Sequence, residues 1–199
     1  MPISEVNFVI ERVGSESEQI ANNLFQLYAH DFSEFAPLDD ERFNVDDEGL
    51  FALPLIEKYW TQPNHSFHLI RANGKLAGFA AINDWSPSGR GADHNIAEFF
   101  VMRHRFADSA GTQLARGLFL AHPGLWELAI MASNKPAQSF WPTVIAGTPH
   151  SSFEKIEGDG VRWRGRFIDS KSADNQDSLS ARLRARSINK RTDASAASS

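Results

Sequence analysis

The chain has 199 residues, 42% of them apolar and 23% charged, which is enough for one globular domain with a buried core. It contains no cysteine, so disulfides, thiolate metal sites and an acyl-cysteine intermediate are excluded. The formal charge of −5 is unevenly placed: residues 1–168 hold 21 acidic and 14 basic side chains, whereas residues 169–199 hold 4 and 6. An acidic body argues against nonspecific nucleic-acid binding, which relies on basic surface.

Met1 to Val13 has no basic start followed by an apolar run, so no targeting segment is expected. No stretch reaches the roughly 18 apolar residues of a membrane-spanning helix. The expected setting is the cytoplasm, with no membrane partner.

Phe8–Val13 reads as a strand, and Ser17 is placed to cap a helix carrying Ile20, Leu24, Leu27 and Tyr28 on one stripe. An acidic segment follows: Asp31, Glu34, Asp39, Asp40, Glu41, Asp46, Asp47 and Glu48 against the single Arg42. Leu50 to Trp60 reads as a second helix ending before Pro63. His65 to Ala72 and Lys75 to Asn83 read as strands of a hairpin turned by Asn73-Gly74. After a Ser/Gly/Pro loop, Asn95 to Arg103 is a strand and Ser109 to His122 a helix stopped by Pro123-Gly124.

Leu125 to Ala132 is a short apolar strand. Lys135 to Ile145 is a helix with Ala137, Phe140, Trp141, Val144 and Ile145 on one face. Strands Ser152 to Glu157 and Val161 to Ile168 close the sequence-predicted domain, joined by Gly158-Asp-Gly160. From Asp169 the chain is Ser, Ala, Asp, Asn and Arg with no aromatic residue. It cannot bury enough apolar surface to offset its ordering entropy, and a disordered tail over 169–199 is expected, with a short helix conceivable near Leu179 to Ile188. The expected fold class is mixed α/β (α+β).

The centre of the chain carries most of the functional signal. A strand that runs into a glycine-bearing turn at a helix N-terminus offers unpaired N–H groups and a favourable dipole to a phosphate. The wording there is Ala97-Glu-Phe-Phe-Val-Met-Arg103, Gly111-Thr-Gln-Leu-Ala-Arg-Gly-Leu-Phe119, Pro123-Gly-Leu-Trp-Glu127, Asn134-Lys-Pro-Ala137 and Phe140-Trp141. Together these segments resemble the central motifs of GNAT acetyltransferases, particularly small bacterial members with an AEFFV…PGxWE…NxPAxxFW run. The resemblance spans roughly residues 7–168.

It implies a GNAT domain over 1–168, with a mixed, mostly antiparallel sheet and helices on both faces. A bulged fourth strand would splay from the fifth, and the pantetheine of acetyl-CoA, the co-substrate, would lie in that gap against the backbone of Phe100, Val101 and Met102. The pyrophosphate would sit on the loop opening the next helix, at Phe106, Ala107, Asp108, Ser109, Ala110 and Gly111. That loop departs from the family pattern Gln/Arg-x-x-Gly-x-Gly/Ala. Only Gly111 matches it, and Asp108 adds a negative charge. Arg103, His104 and Arg105 lie upstream as compensating groups. The other reading is that Asp108 or Ser109 caps the helix and no phosphate binds.

By alternation Glu98 shares a strand face with Ile96, Phe100 and Met102. Partial burial there would raise its pKa into the range of a general base, the use some GNAT enzymes make of a glutamate at this position. The alternative is a glutamate paired with a core arginine or capping a backbone group. A general acid is not evident: the helix that often supplies a tyrosine has Phe140 and Trp141 instead, and Tyr28 and Tyr59 fall on the early helices. Asn134 matches an asparagine that contacts the cofactor in the family, or it caps the following helix. The acidic segment either lines an acceptor site for a cationic amine or is a solvated loop.

No metal site is expected, since the 7 histidines show no ligand spacing. The resulting expectation is an acetyl-CoA-dependent N-acetyltransferase acting on a primary amine of a small molecule, with homodimerisation left open. The alternatives are a GNAT-fold protein that holds a ligand without turnover, or an enzyme acting on a protein amine.

Overall fold

The computed structural model describes residues 6–52, 56–102, 109–157 and 160–167. Among these residues seven strands form one sheet: β1 (Phe8–Val13), β2 (Ser66–Ala72), β3 (Lys75–Asn83), β4 (His94–Val101), β5 (Gly124–Met131), β6 (His150–Glu157) and β7 (Gly160–Phe167). Their spatial order is β1-β2-β3-β4-β5-β7-β6. Every neighbouring pair is antiparallel except β4 and β5. The helices are α1 (Glu18–Ser33), α2 (Lys58–Thr61), α3 (Ser109–Ala121) and α4 (Lys135–Ala146).

The hairpin between β2 and β3 turns where the sequence places it. Asn73 and Gly74 both have positive φ, 49° and 79°, which asparagine and glycine tolerate best. Gly78 is required for another reason: a Cβ there would lie 1.9 Å from the Phe100 carbonyl oxygen.

Apolar side chains alternate to the two sheet faces and define two main cores. Ala21, Leu24 and Phe25 of α1 pack with Ile56 on Phe67, Leu69, Phe79, Ala81 and Phe100. On the opposite face, Ala115, Leu118 and Phe119 of α3 and Trp141, Val144 and Ile145 of α4 cover Ala80, Ile82, Ile96, Trp126 and Leu128. Each fully buried Leu, Ile, Val or Phe among them contributes about 1.5–3 kcal/mol of apolar burial. The expected mixed sheet with helices on both faces is therefore present.

The most consequential feature is where β4 meets its neighbours. It pairs with β5 only through His94↔Trp126, Asn95↔Glu127 and Ile96↔Leu128, and beyond Ile96 the two strands part. At the same point the β3 register shifts, with Ile82 opposite Ile96 but Ala81 opposite Glu98, so Ala97 is an extra residue. The expected bulge and splay both lie here.

Two local expectations are corrected. Among the described residues, which leave out 53–55, the helix expected over Leu50 to Trp60 is a single turn, Lys58–Thr61, and the chain before it does other work: Val45 bridges Phe51. Gln26 of α1 holds Phe51 by two hydrogen bonds, Nε2 donating to its C=O (3.0 Å) and Oε1 accepting from its N–H (2.9 Å). Ser17 stands at the N-cap of α1 without a capping side-chain bond. The helix is entered instead through a short 3-10 turn, Ser15–Ser17. The tail 169–199, Ile168, Arg103 to Asp108 and the Gly158-Asp159 turn lie outside the described residues.

Candidate active site

Glu98 leaves the sheet towards α1. The bulge at Ala97 breaks strict alternation, so Ile96 joins the α3/α4 core while Ala97, Phe100 and Met102 pack on the α1 side. The expected shared face of Glu98 with Ile96 is corrected by that one inserted residue.

Tyr28 of α1 donates a hydrogen bond from its hydroxyl to Glu98 Oε2. Its ring is held in an aromatic nest, with centroids 5.8 Å from Phe25, 5.0 Å from Phe32, 5.7 Å from Phe79 and 6.0 Å from Phe100. Tyr59 of α2 packs on His65 and Phe67 at 5.4 and 6.1 Å. Burial and the Glu98 charge oppose its ionisation, and the Asn83 side chain favours it.

These surroundings set the protonation of all three groups. Burial pushes the Glu98 carboxyl up to about 7, against the pull of the Tyr28 hydrogen bond in the other direction. Burial, then the Glu98 charge and hydrogen bond, raise the Tyr28 phenol far above its ordinary value. Burial, then the Glu98 charge, raise Tyr59 to about 12. At neutral pH both phenols keep their protons, and Glu98 is the group poised to exchange one. Neither tyrosine is on the helix where the family resemblance looks for a phenol, yet the fold brings Tyr28 to Glu98.

The backbone beside Glu98 is also specified. Met102 N–H donates to Ala77 C=O at 2.8 Å. By antiparallel alternation Phe100 C=O also faces β3. Of the three residues expected to meet a pantetheine, Val101 is the one whose N–H and C=O face the gap between β4 and β5.

Phe106, Ala107 and Asp108 lie outside the described residues, while Ser109, Ala110 and Gly111 form the first turn of α3. A Cβ on Gly111 would come within 3.3 Å of the Phe140 ring, so glycine lets α3 approach α4 closely. Asn134 is buried, and its Oδ1 accepts from Ala137 N–H at 3.0 Å, capping α4 with Pro136 in the first turn.

The acidic segment is largely occupied with its own turns. Asp40 accepts from Arg42 Nε at 2.8 Å and Nη2 at 2.6 Å. Asp46 accepts from the N–H groups of Glu48 and Leu50, both at 2.9 Å. Among the described residues no group of three or more His, Asp or Glu side chains could hold a metal ion. His68, His94 and His122 do gather, with ring centroids 5.4 and 5.7 Å apart, on the α3 side of the sheet. Burial, followed by the charges of His122 and Arg12, holds His68 down at about 4.

Glu127 is the functional-looking residue with a different destiny. It is 1% exposed, yet its carboxylate accepts from Ser86 Oγ (3.0 Å), Ser88 Oγ (2.6 Å) and Ser88 N–H (2.9 Å), and it forms an ion pair with Arg164. Arg164 also donates to Gly91 C=O at 2.6 Å. The network clamps the 84–91 loop to the sheet end where β4 and β5 still pair.

No protein-family model and no curated protein matches the sequence. Solved structures do match the fold. An acetyltransferase from Thermus thermophilus aligns with TM-score 0.57 at 13% identity, over 81% of this chain and 97% of that one. A GNAT-family acetyltransferase from Streptococcus pneumoniae aligns with TM-score 0.51 at 15% identity, over 81% and 100%. The aminoglycoside acetyltransferase AAC(6')-Ib, solved with coenzyme A and kanamycin, aligns with TM-score 0.52 at 13% identity, over 81% and 95%. The chain has the GNAT acetyltransferase fold.

Proposed function

From that fold, and from a carboxyl tuned to neutrality beside the splay, we propose an acetyl-CoA-dependent N-acetyltransferase that acts on a primary amine of a small molecule by direct transfer. The single observation that carries this reading is Glu98, raised to about 7 and held by Tyr28 where β4 leaves β5. A protein of the same fold is solved with coenzyme A and kanamycin, which supports a CoA thioester as donor and a small molecule as acceptor. We assign residues 1–168 to this domain.

In the proposed reaction the thioester lies in the gap, its pantetheine paired with Val101 and its pyrophosphate at the Phe106 to Gly111 turn. The Val101 N–H is the candidate donor to the developing oxyanion. The amine nitrogen attacks the thioester carbonyl, the C–N bond forms, the C–S bond breaks and coenzyme A leaves. The proton lost by nitrogen passes to Glu98, directly or through one water. Tyr28 occupies Oε2, which directs the other carboxylate oxygen to the amine. The chain has no cysteine to carry the acetyl group, and in this reading both substrates are held together for direct attack.

Two measurements test the proposal. Acetyl-CoA should raise the melting temperature, since a ligand that binds the folded state must stabilise it. Thiol release across a panel of primary amines should then depend on both substrates. Absence of any melting shift at saturating acetyl-CoA would sink the reading.

A further inference from the structure

An open cleft of about 630 Å³ lies between α2 and the outer end of β3. That volume suits a ligand of one or two rings. Resting on the acetyltransferase reading above, we propose that this cleft binds the acceptor and that the acceptor is a hydroxylated ring amine of the amino-sugar type.

The first argument is composition. Trp85 is 63% exposed at the rim, an unusual place for the largest apolar side chain. Around it stand Gln62, His65, Asn83 and Asp84, a ring of planar hydrogen-bonding groups. The Nδ1 atom of His65 is buried without a partner. A flat indole face beside donors and acceptors suits a saturated ring that shows C–H groups on one face and hydroxyls at its edge. Lys58 lines the same cleft and offsets Asp84, so the space is not an acidic trap for a polycation.

The second argument is rigidity. Asn83 Oδ1 accepts from Trp85 N–H at 3.1 Å and from Asn95 Nδ2 at 2.9 Å. Asn64 Nδ2 donates to Asp84 Oδ2 at 2.8 Å. The rim is thus set before a ligand arrives, which lowers the ordering cost of binding. The third is connection: Tyr59 and Asn83 both line the cleft, and Asn83 lies two residues along β3 from Ala81, the strand partner of Glu98. A ring stacked on Trp85 can aim an amine past Tyr59 towards Glu98.

The experiment is calorimetric titration of the full chain, saturated with coenzyme A, with three probes. They are D-glucosamine, cyclohexylamine (a ring without hydroxyls) and spermidine (a flexible polycation). Glucosamine should bind tightest, and Trp85→Ala should weaken it roughly 3- to 10-fold, the usual worth of one aromatic contact. Gln62→Ala, also at an exposed position, should weaken it less. Equal or tighter binding of either control, no binding of glucosamine, or no effect of Trp85→Ala would overturn the proposal. Failure of the acetyltransferase reading is read separately, from the acetyl-CoA melting shift and thiol release with the wider amine panel. If those hold while Trp85→Ala changes nothing, only the cleft assignment falls.

Discussion

Two glutamates occupy neighbouring strands in the middle of the sheet, Glu98 on β4 and Glu127 on β5, each inside an apolar run. Burial pushes the carboxyl of both upward. At Glu127 hydrogen bonds from Ser88, Arg164 and Ser86 outweigh it and hold the carboxyl below its ordinary value. At Glu98 the one opposing interaction is the Tyr28 hydroxyl, and the carboxyl stays near 7. The two carboxyls differ in the number and charge of their partners: Glu127 is met by Ser86, Ser88 and the Arg164 guanidinium, Glu98 by one neutral phenol. Full satisfaction makes Glu127 inert, whereas partial satisfaction leaves Glu98 able to take a proton at physiological pH.

The sharpest way to break this comparison is Glu127→Ala. It strands Arg164, 14% exposed at its side chain, against Ser86 and Ser88 without their acceptor. A loss of about 3–5 kcal/mol in denaturant unfolding is expected. A loss below about 1 kcal/mol would mean that the clamp is not structural.

Glu98→Gln should do the reverse, leaving the fold intact and lowering acetyl transfer about 10²-fold, the scale of one general base. The acetyl-CoA melting shift should survive. A rate unchanged at neutral pH would remove Glu98 from the mechanism.

The same substitution has a smaller effect on stability, with a definite sign. The folded protein binds the Glu98 proton more tightly than the unfolded chain, whose carboxyl titrates near 4.5. The contribution of this group is therefore fully present below about 4.5 and is lost as pH rises through about 7. Glutamine mimics the protonated form. At pH 8 the variant should be more stable than the parent by about 1–2 kcal/mol, and the gap should close towards pH 5. A gap that widens on acidification would contradict the assignment. Tyr28→Phe gives the finest test. Because the tyrosine pulls the carboxyl down, its removal should move the acid limb of the kcat/KM profile to higher pH while costing only about 1 kcal/mol of stability.

Much of this architecture is written locally, and the parts that are not share one cause. The Asn73-Gly74 hairpin and the stop at Pro123-Gly124 depend on neighbours in sequence, and they read correctly, while the capping of α4 by Asn134 is one of the two readings its position offered. The face of Ile96 does not, because period-two counting fails across the inserted Ala97. The non-helical course at Leu50 to Ala52 turns on Gln26, whose amide imitates a strand partner for Phe51 from 25 residues away. Tyr28 and Glu98 are 70 residues apart, beyond any periodicity argument. A signal existed nonetheless. Tyr28 lies on the apolar stripe of α1 and Glu98 in an apolar strand, and two buried polar groups each require a partner. The same demand at Glu127, within Trp126-Glu-Leu128, called for Arg164 and the serines.

The most direct measurement is a carbon-13 NMR titration of the side-chain carboxyls in glutamate-labelled protein, assigned with Glu98→Gln. The account predicts one carboxyl, missing from the variant, with a midpoint near 7, and a Glu127 carboxyl that stays ionised throughout the neutral range. A Glu98 midpoint at the ordinary value of 4.5 would contradict it, because a carboxylate of that strength is a much weaker general base at neutral pH.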